Sequence, residues 1–215
     1  GPERHVYFTA VFSKPFRDFG IMQDTIPVKY NTNRFRSSLE AWGKDLRFWM
    51  RFPTRQGEVV TVKTAVSAVS SDGAKLNMQE LEGKTFASLK AEGEKLWEGQ
   101  LSKFKIEATP EQRETFYTSV YHAFLHPFIF QDADGKFREL DKNIGQAEGF
   151  TNYTVFSLWD TYRALHPLFN LVQRDINADI VNSMLAHYDK SVEHMLPVWS
   201  FYGNETWCMI GYHAV

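Results

Sequence analysis

At Gly73 the hydrophobic period of this sequence changes, and that change limits the folds open to it. Before it, apolar and β-branched residues come in short runs: His5 to Phe12, Leu46 to Phe52 where charge alternates with bulk, and Val59 to Ser70. Such runs suit half-buried strands, whose side chains alternate between two faces. Arg55-Gln56-Gly57 and Ser71-Asp72-Gly73 carry turn chemistry and bound the last run. After it, Phe86, Leu89, Gly93, Leu96, Trp97, Leu101 and Phe104 recur at three- and four-residue steps, with Lys and Glu between them. That spacing places them on one face of a helix. Strands first and helices afterwards argue against a βαβ fold. They predict an α+β chain in which part of a sandwich meets a helical domain near residues 75 to 108.

Further helices follow. Thr109-Pro110-Glu111-Gln112 supplies an N-cap, a proline at the first helical position and a capping-box partner. Pro127 must end that helix. Phe128 to Gln131 and Lys136 to Leu140 suit a hairpin turned by Asp134-Gly135. Ser157 to His166 reads as helix stopped at Pro167. Asn177 caps a helix carrying Ile180, Met184, Tyr188 and Val192, closed by Pro197, and another helix is expected from about Thr206. Tyr121 to Pro127 and Tyr162 to Pro167 end alike about 40 residues apart, as a weak helix-pair repeat does. Gly1-Pro2 without Met reads as a processing scar, and the apolar stretch up to Val215 lacks a helix stop, so an internal piece of a longer protein is expected.

Composition narrows the function. Hydrophobic residues at 43% and charged ones at 23% exclude a disordered or collagen-like chain. With 24 Lys and Arg against 26 Asp and Glu, the formal charge of −2 offers no footprint for nucleic acid. The single cysteine, Cys208, excludes an internal disulfide and a cysteine zinc cage. No apolar run is long enough to span a membrane.

Four constellations could carry chemistry. Asp132-Ala133-Asp134-Gly135 has the look of a calcium loop, but with glycine at the sixth position Phe130 and Arg138 fall where oxygen ligands are needed, so a turn is the better reading. His122 and His126 stand four apart as a zinc pair does, yet no Glu follows His122, and histidines packed at a helix end account for them. Trp159-Asp160-Thr161-Tyr162-Arg163 sets a carboxylate beside an indole, a combination that holds sugars: the ring stacks while the acid accepts two hydroxyls. An Asp160–Arg163 ion pair near a helix start fits the same spacing. In Trp199 to Trp207 aromatics surround Glu205, which is open to three readings: a catalytic carboxyl, a ligand-binding one, or an acid favoured by a helix dipole.

Phe116-Tyr-Thr-Ser-Val-Tyr-His-Ala-Phe-Leu-His-Pro127, Tyr153-Thr-Val-Phe-Ser-Leu-Trp-Asp-Thr-Tyr-Arg-Ala-Leu-His-Pro167 and Gly203-Asn-Glu-Thr-Trp-Cys-Met-Ile-Gly-Tyr-His213 resemble, in that order, glycoside hydrolase family 92. Its members are calcium-dependent, exo-acting α-mannosidases with an N-terminal β-sandwich and a C-terminal (α/α)6 toroid. The resemblance implies that residues 1–75 close the sandwich, 76–108 form a helical linker and 109–215 supply the first helices of the toroid. It further implies inverting release of terminal α-linked mannose from mannosides or N-glycans, with an acid and a base roughly 6.5 to 9.5 Å apart. Calcium, a hard cation that takes oxygen ligands, would hold the sugar's vicinal hydroxyls. Trp159, Asp160, Arg163, Asn204 and Glu205 become candidate substrate-binding residues, with Asp160 matching an aspartate of the terminal-mannose subsite. The family's acid lies in a Glu-Gly-Asn segment and its base in a Gly-Asn-Asp-Asp segment. Neither occurs here, and both are expected downstream of Val215. Glu205 stands in Gly-Asn-Glu, a different order, so the acid role does not transfer to it. A periplasmic or secreted enzyme is implied by the resemblance. Two alternatives stay open: another (α/α)6 hydrolase using Asp160 and Glu205 as its pair, and a non-catalytic sugar-binding module.

Overall fold

In the computed structural model, residues 4–27 and 43–215 are described, so residues 1–3 and the segment 28–42 lie outside the described residues. The chain divides into two units, Ala10–Lys63 and Gly1–Thr9 with Thr64–Val215. It passes between them in two strands that pair with each other, β1 (Tyr7–Phe12) and, later in the chain, Val62–Ser67.

In the unit Ala10–Lys63, β2 (Asp18–Gln23) lies between β3 (Ile26–Pro27) and β4 (Leu46–Arg51), all antiparallel. Register sorts the side chains: Asp18, Gly20 and Met22 face Arg51, Trp49 and Arg47, while Phe19 and Ile21 share the other face with Met50 and Phe48. That second face is the apolar one. Phe19 and Phe48 rings lie 5.7 Å apart, and Phe16 continues the cluster toward Phe52 and Phe12.

The other unit mixes helix and strand, as the change of period predicts. After β5 (Val62–Ser67), helix α1 (Ser71–Met78) begins where a turn is expected, because the Ser70 hydroxyl accepts the Gly73 amide at 2.9 Å as an N-cap. Serine and aspartate serve a turn and a helix start equally well. Helix α2 (Phe86–Leu101) keeps Leu89, Gly93, Trp97 and Leu101 of the predicted stripe half-buried, but Phe86 and Leu96 are exposed and Phe104 lies beyond its end; α3 (Pro110–Ala123) carries the predicted capping box of Thr109 and Gln112. They pack through Trp97 on Tyr121, with centroids 4.4 Å apart, while Phe104 bridges Phe116 and Phe124.

The expected hairpin is only half present. The turn exists, since the Asp132 amide donates to the Lys136 carbonyl at 2.8 Å and the Gly135 amide to that of Asp132 at 2.8 Å. Its flanks do not pair with each other: β6 (Phe128–Ile129) takes Tyr153–Thr154 as its partner, and β7 (Lys136–Arg138) takes β8 (Ile144–Gln146). Long-range strand pairing is not encoded in local turn chemistry.

Strands β9 (Tyr153–Thr154) and β10 (Phe156–Ser157) lead into α4 (Leu158–Thr161). The single helix expected over 157–166 is therefore two, because α5 (Leu165–Val172) starts afresh and runs through Pro167. Proline is tolerated there, in the first turn, where its missing N–H has no intrahelical partner to lose. The resemblance between Tyr121–Pro127 and Tyr162–Pro167 thus ends one helix and starts another. Helix α6 (Arg174–Lys190) begins before Asn177, which sits inside it and reaches back to Asn170, and Val192 lies beyond its end and exposed. The last strand is β11 (Trp199–Ser200), paired with β10. No helix starts at Thr206: positive φ at Trp207, Met209 and Gly211 breaks any helical run. The core joins these pieces, with Phe156, Leu158, Phe169 and Ile180 buried together and Phe124, Leu165 and Met184 packed on them.

Candidate functional site

Buried Phe156 and Leu158 fix the stretch that runs from β10 into α4, and Trp159 and Asp160 therefore follow at a set position on the outside. Asp160 is exposed. Its carboxylate accepts the Ser157 hydroxyl at 2.5 Å, an interaction foreshadowed by the Ser-x-x-Asp spacing of a helix start, and the Thr161 hydroxyl donates to the Ser157 carbonyl at 3.1 Å. Arg163 does not turn to Asp160. Its guanidinium lies 4.5 Å over the Trp159 ring and 4.9 Å over Tyr162, and it donates to the Trp159 carbonyl at 3.3 Å. One face of the indole thus carries a cation, while the Asp160 carboxylate stays exposed.

Asn204 and Glu205 occupy the interior instead. Asn204 is buried in a tight turn in which Phe201 and Asn204 exchange backbone hydrogen bonds of 2.7 and 3.2 Å. Its side chain donates to the Tyr202 carbonyl at 3.1 Å and accepts from Lys142 Nζ, which also donates to the Gly203 carbonyl at 2.6 Å. The Glu205 side chain is 4% exposed and stands 3.4 Å from His187 Nε2. Oε1 accepts the amides of Trp199 at 2.9 Å, Thr206 at 2.9 Å and Trp207 at 3.0 Å, and Oε2 accepts that of Val198 at 3.0 Å. Burial alone would raise this carboxyl, but the hydrogen bond from His187 and the amides of Trp207, Trp199 and Val198 outweigh it and hold its pKa below the ordinary value. A general acid needs the opposite, a carboxyl that keeps its proton. The helix-dipole reading also lapses, since no helix follows.

Sequence reasoning overlooked Ser157 and His187. Ser157 announces itself by its spacing to Asp160, whereas His187 meets Glu205 only through the fold. It also overlooked the stack of Tyr162 on His213, 4.2 Å apart and nearly parallel, which returns the end of the chain to the residues beside Asp160.

A largely apolar cavity of about 480 Å³ opens elsewhere in the same unit, between Val66, Phe128, Phe130, Phe137 and Tyr202, and none of the five sequence-derived candidates lines it. Asp132 on its wall is already committed to Ser67 and Asn77. Among the described residues no three His, Cys, Asp or Glu side chains gather to hold a metal ion.

The sequence profile of the Glycosyl hydrolase family 92 catalytic domain matches residues 73–215. The chain superposes on the family GH92 alpha-mannosidase BT3965 from Bacteroides thetaiotaomicron with a TM-score of 0.94 and 71% identity, covering 100% of this chain and 29% of that one. The complex of the same protein with mannoimidazole matches equally well over 28% of its chain. The family GH92 inverting mannosidase BT2199 from Bacteroides thetaiotaomicron VPI-5482, 24% identical, shares the fold with a TM-score of 0.79 over 97% of this chain and 28% of that one. The chain thus spans under a third of the length of the structures it matches. A search of curated protein sequences finds no match.

Proposed function

The chain belongs to glycosyl hydrolase family 92, and from that premise we propose that it is part of an exo-acting α-mannosidase that releases terminal α-linked mannose from mannosides or N-glycans with inversion. What supports this is 71% identity along the whole chain to an α-mannosidase, with the backbone preserved at a TM-score of 0.94.

On this reading Asp160 receives vicinal hydroxyls of the terminal sugar. Its carboxylate is exposed and oriented by Ser157, and the Arg163 guanidinium is parked on Trp159. Asn204 and Glu205 spend their side chains on interior contacts. The acid and the base of the displacement belong to segments beyond Val215. Residues 1–75 complete a β-sandwich, 76–108 link it, and 109–215 open an (α/α)6 toroid. Calcium, when bound, would supply a Lewis-acidic hold on the sugar's hydroxyls. Placement in the periplasm or outside the cell follows from the resemblance. Among the described residues no helix is long and apolar enough to cross a membrane.

The test is mannose release from an α-mannobiose and an aryl α-mannoside by the full-length enzyme, with the anomer of the first product read by NMR. We expect β-mannose to form first. No release, or α-mannose as the first product, would refute the proposal.

A further inference from the structure

We propose that Glu205 and His187 are positioning residues for the Asp160 face, acting through Trp199 and Ser157. The inference rests on the reading of Asp160 as a sugar-binding carboxylate. Its physical basis is a continuous series of contacts. Glu205 gathers amides from both arms of the loop it closes, Val198 and Trp199 on entry and Thr206 and Trp207 on exit. Thr206 then grips Trp199 a second time, giving its hydroxyl to the Trp199 carbonyl at 2.9 Å and its amide to the same oxygen at 3.2 Å. Trp199 is the register partner of Ser157 across the β10–β11 pair, and the Ser157 hydroxyl orients the Asp160 carboxylate.

Phe156 and Leu158 on either side of Ser157 are held in the core, so the place of Ser157 is set from two directions: by the core and by the strand that Glu205 anchors. His187 supplies the fixed point. It projects from α6, which Ile180 seats in the same core, and faces Oε2 at 3.4 Å, so the carboxylate is oriented by a helix and not only by the loop it serves. The chain beyond Trp207 returns to the same place, since the Tyr212 hydroxyl accepts the Leu196 amide at 2.6 Å and His213 stacks on Tyr162. A loop latch with no bearing on the sugar face would not be wired to the partner of Ser157.

The experiment crosses Glu205→Gln with Ser157→Ala in the full-length enzyme and reads affinity for mannoimidazole alongside kcat and KM on an aryl α-mannoside. Glutamine keeps one oxygen for the three amides on Oε1 but sets an NH2 group against the Val198 amide, so the loop is retained and its seat shifted. We expect each single change to weaken mannoimidazole about five- to tenfold, the size of one misplaced hydrogen bond, and the double variant to be no weaker than Ser157→Ala alone. His187→Phe should match Glu205→Gln, and His187→Gln, which retains a donor nitrogen, should recover most of the loss. Losses that multiply in the double variant, or unchanged affinity in Glu205→Gln, overturn the positioning role. Asp160→Ala is run in parallel. Unchanged affinity there overturns the reading of Asp160 itself, whereas a loss at Asp160 with multiplying losses at Glu205 and Ser157 rejects only the relay.

Discussion

Asp132→Asn is a nearly isosteric change at a buried position, and the structure says why it should be costly. Oδ2 accepts the Ser67 hydroxyl at 2.7 Å and Oδ1 accepts Asn77 Nδ2 at 2.8 Å. Neither orientation of an amide satisfies both. If the new NH2 group faces Ser67, it meets an oxygen that already accepts the Val69 amide at 2.9 Å and the Ser70 amide at 3.2 Å, and the hydroxyl hydrogen loses its acceptor. If it faces Asn77, donor meets donor. Asn77 cannot turn over, because its oxygen takes the Ala133 amide at 2.7 Å and its nitrogen serves the Val66 carbonyl at 2.9 Å. One charge-assisted hydrogen bond and one stranded buried donor together cost about 3 kcal/mol, or roughly a hundredfold in a local opening constant. Hydrogen-exchange mass spectrometry of the full-length enzyme should show that loss of protection in peptides covering Ser71–Met78 and 132–136, with α6 little changed. Wild-type protection there would falsify the claim that the carboxylate is needed. Gly73→Ala should act on the same network from the other side, since a Cβ at that position falls onto the Asp132 carboxylate and 2.7 Å from Ser67 Oγ.

Three further outcomes are expected. Asp160→Ala in the full-length enzyme should lower kcat/KM at least tenfold, with circular dichroism unchanged, because a charge-assisted contact of about 1.5 to 3 kcal/mol is removed; a smaller loss contradicts the role given to Asp160. EDTA should abolish turnover and added calcium should restore it where zinc does not, and full activity in EDTA would reject calcium. The pKa of Glu205 is held below its ordinary 4.5, so its stabilisation is full above that pH and fades as pH falls through the lower folded value. Fluorescence of Trp199 and Trp207 followed through an acid titration should therefore change below pH 4.5, and later than the same titration in His187→Phe is expected to show.

How much of this was legible in the sequence depended on range. The α3 capping box and the strands Tyr7–Phe12, Leu46–Arg51 and Val62–Ser67 rest on local chemistry and appear as read, whereas Phe86 and Leu96 of the α2 stripe face solvent and the strands Asp18–Gln23 and Ile26–Pro27 were not read. Pro167 misled because a proline ends a helix from inside but is welcome in a first turn, and only the break after Thr161 decides which applies. Turn chemistry at Asp134-Gly135 points Phe128–Ile129 to its neighbour in sequence although Tyr153–Thr154, about 25 residues on, is its partner, a long-range pairing that local chemistry does not encode. Of the site candidates, the grouping of Trp159, Asp160 and Arg163 is local and was visible, but the direction in which Arg163 turns was not. Asn204 and Glu205 were singled out for their aromatic surroundings, and aromatic surroundings accompany burial as readily as they accompany a sugar.

A distinction among the three acids follows from their acceptor capacity. An ionised carboxylate offers about four lone-pair positions. Glu205 meets the amides of Val198, Trp199, Thr206 and Trp207 together with His187, so nothing is left over for a ligand. Asp132 spends both oxygens on Ser67 and Asn77 while 3% exposed, and solvent cannot deliver another donor to it. Asp160 is exposed and engages Ser157 through one oxygen, which leaves acceptor positions facing outward in a fixed direction. Vicinal sugar hydroxyls are donors that arrive in pairs, and of these three carboxylates only Asp160 combines an oriented oxygen with unspent acceptor capacity. The same count explains why Glu205 matters to that site without touching a sugar: its capacity goes into fixing Trp199, and through Trp199 the strand that carries Ser157.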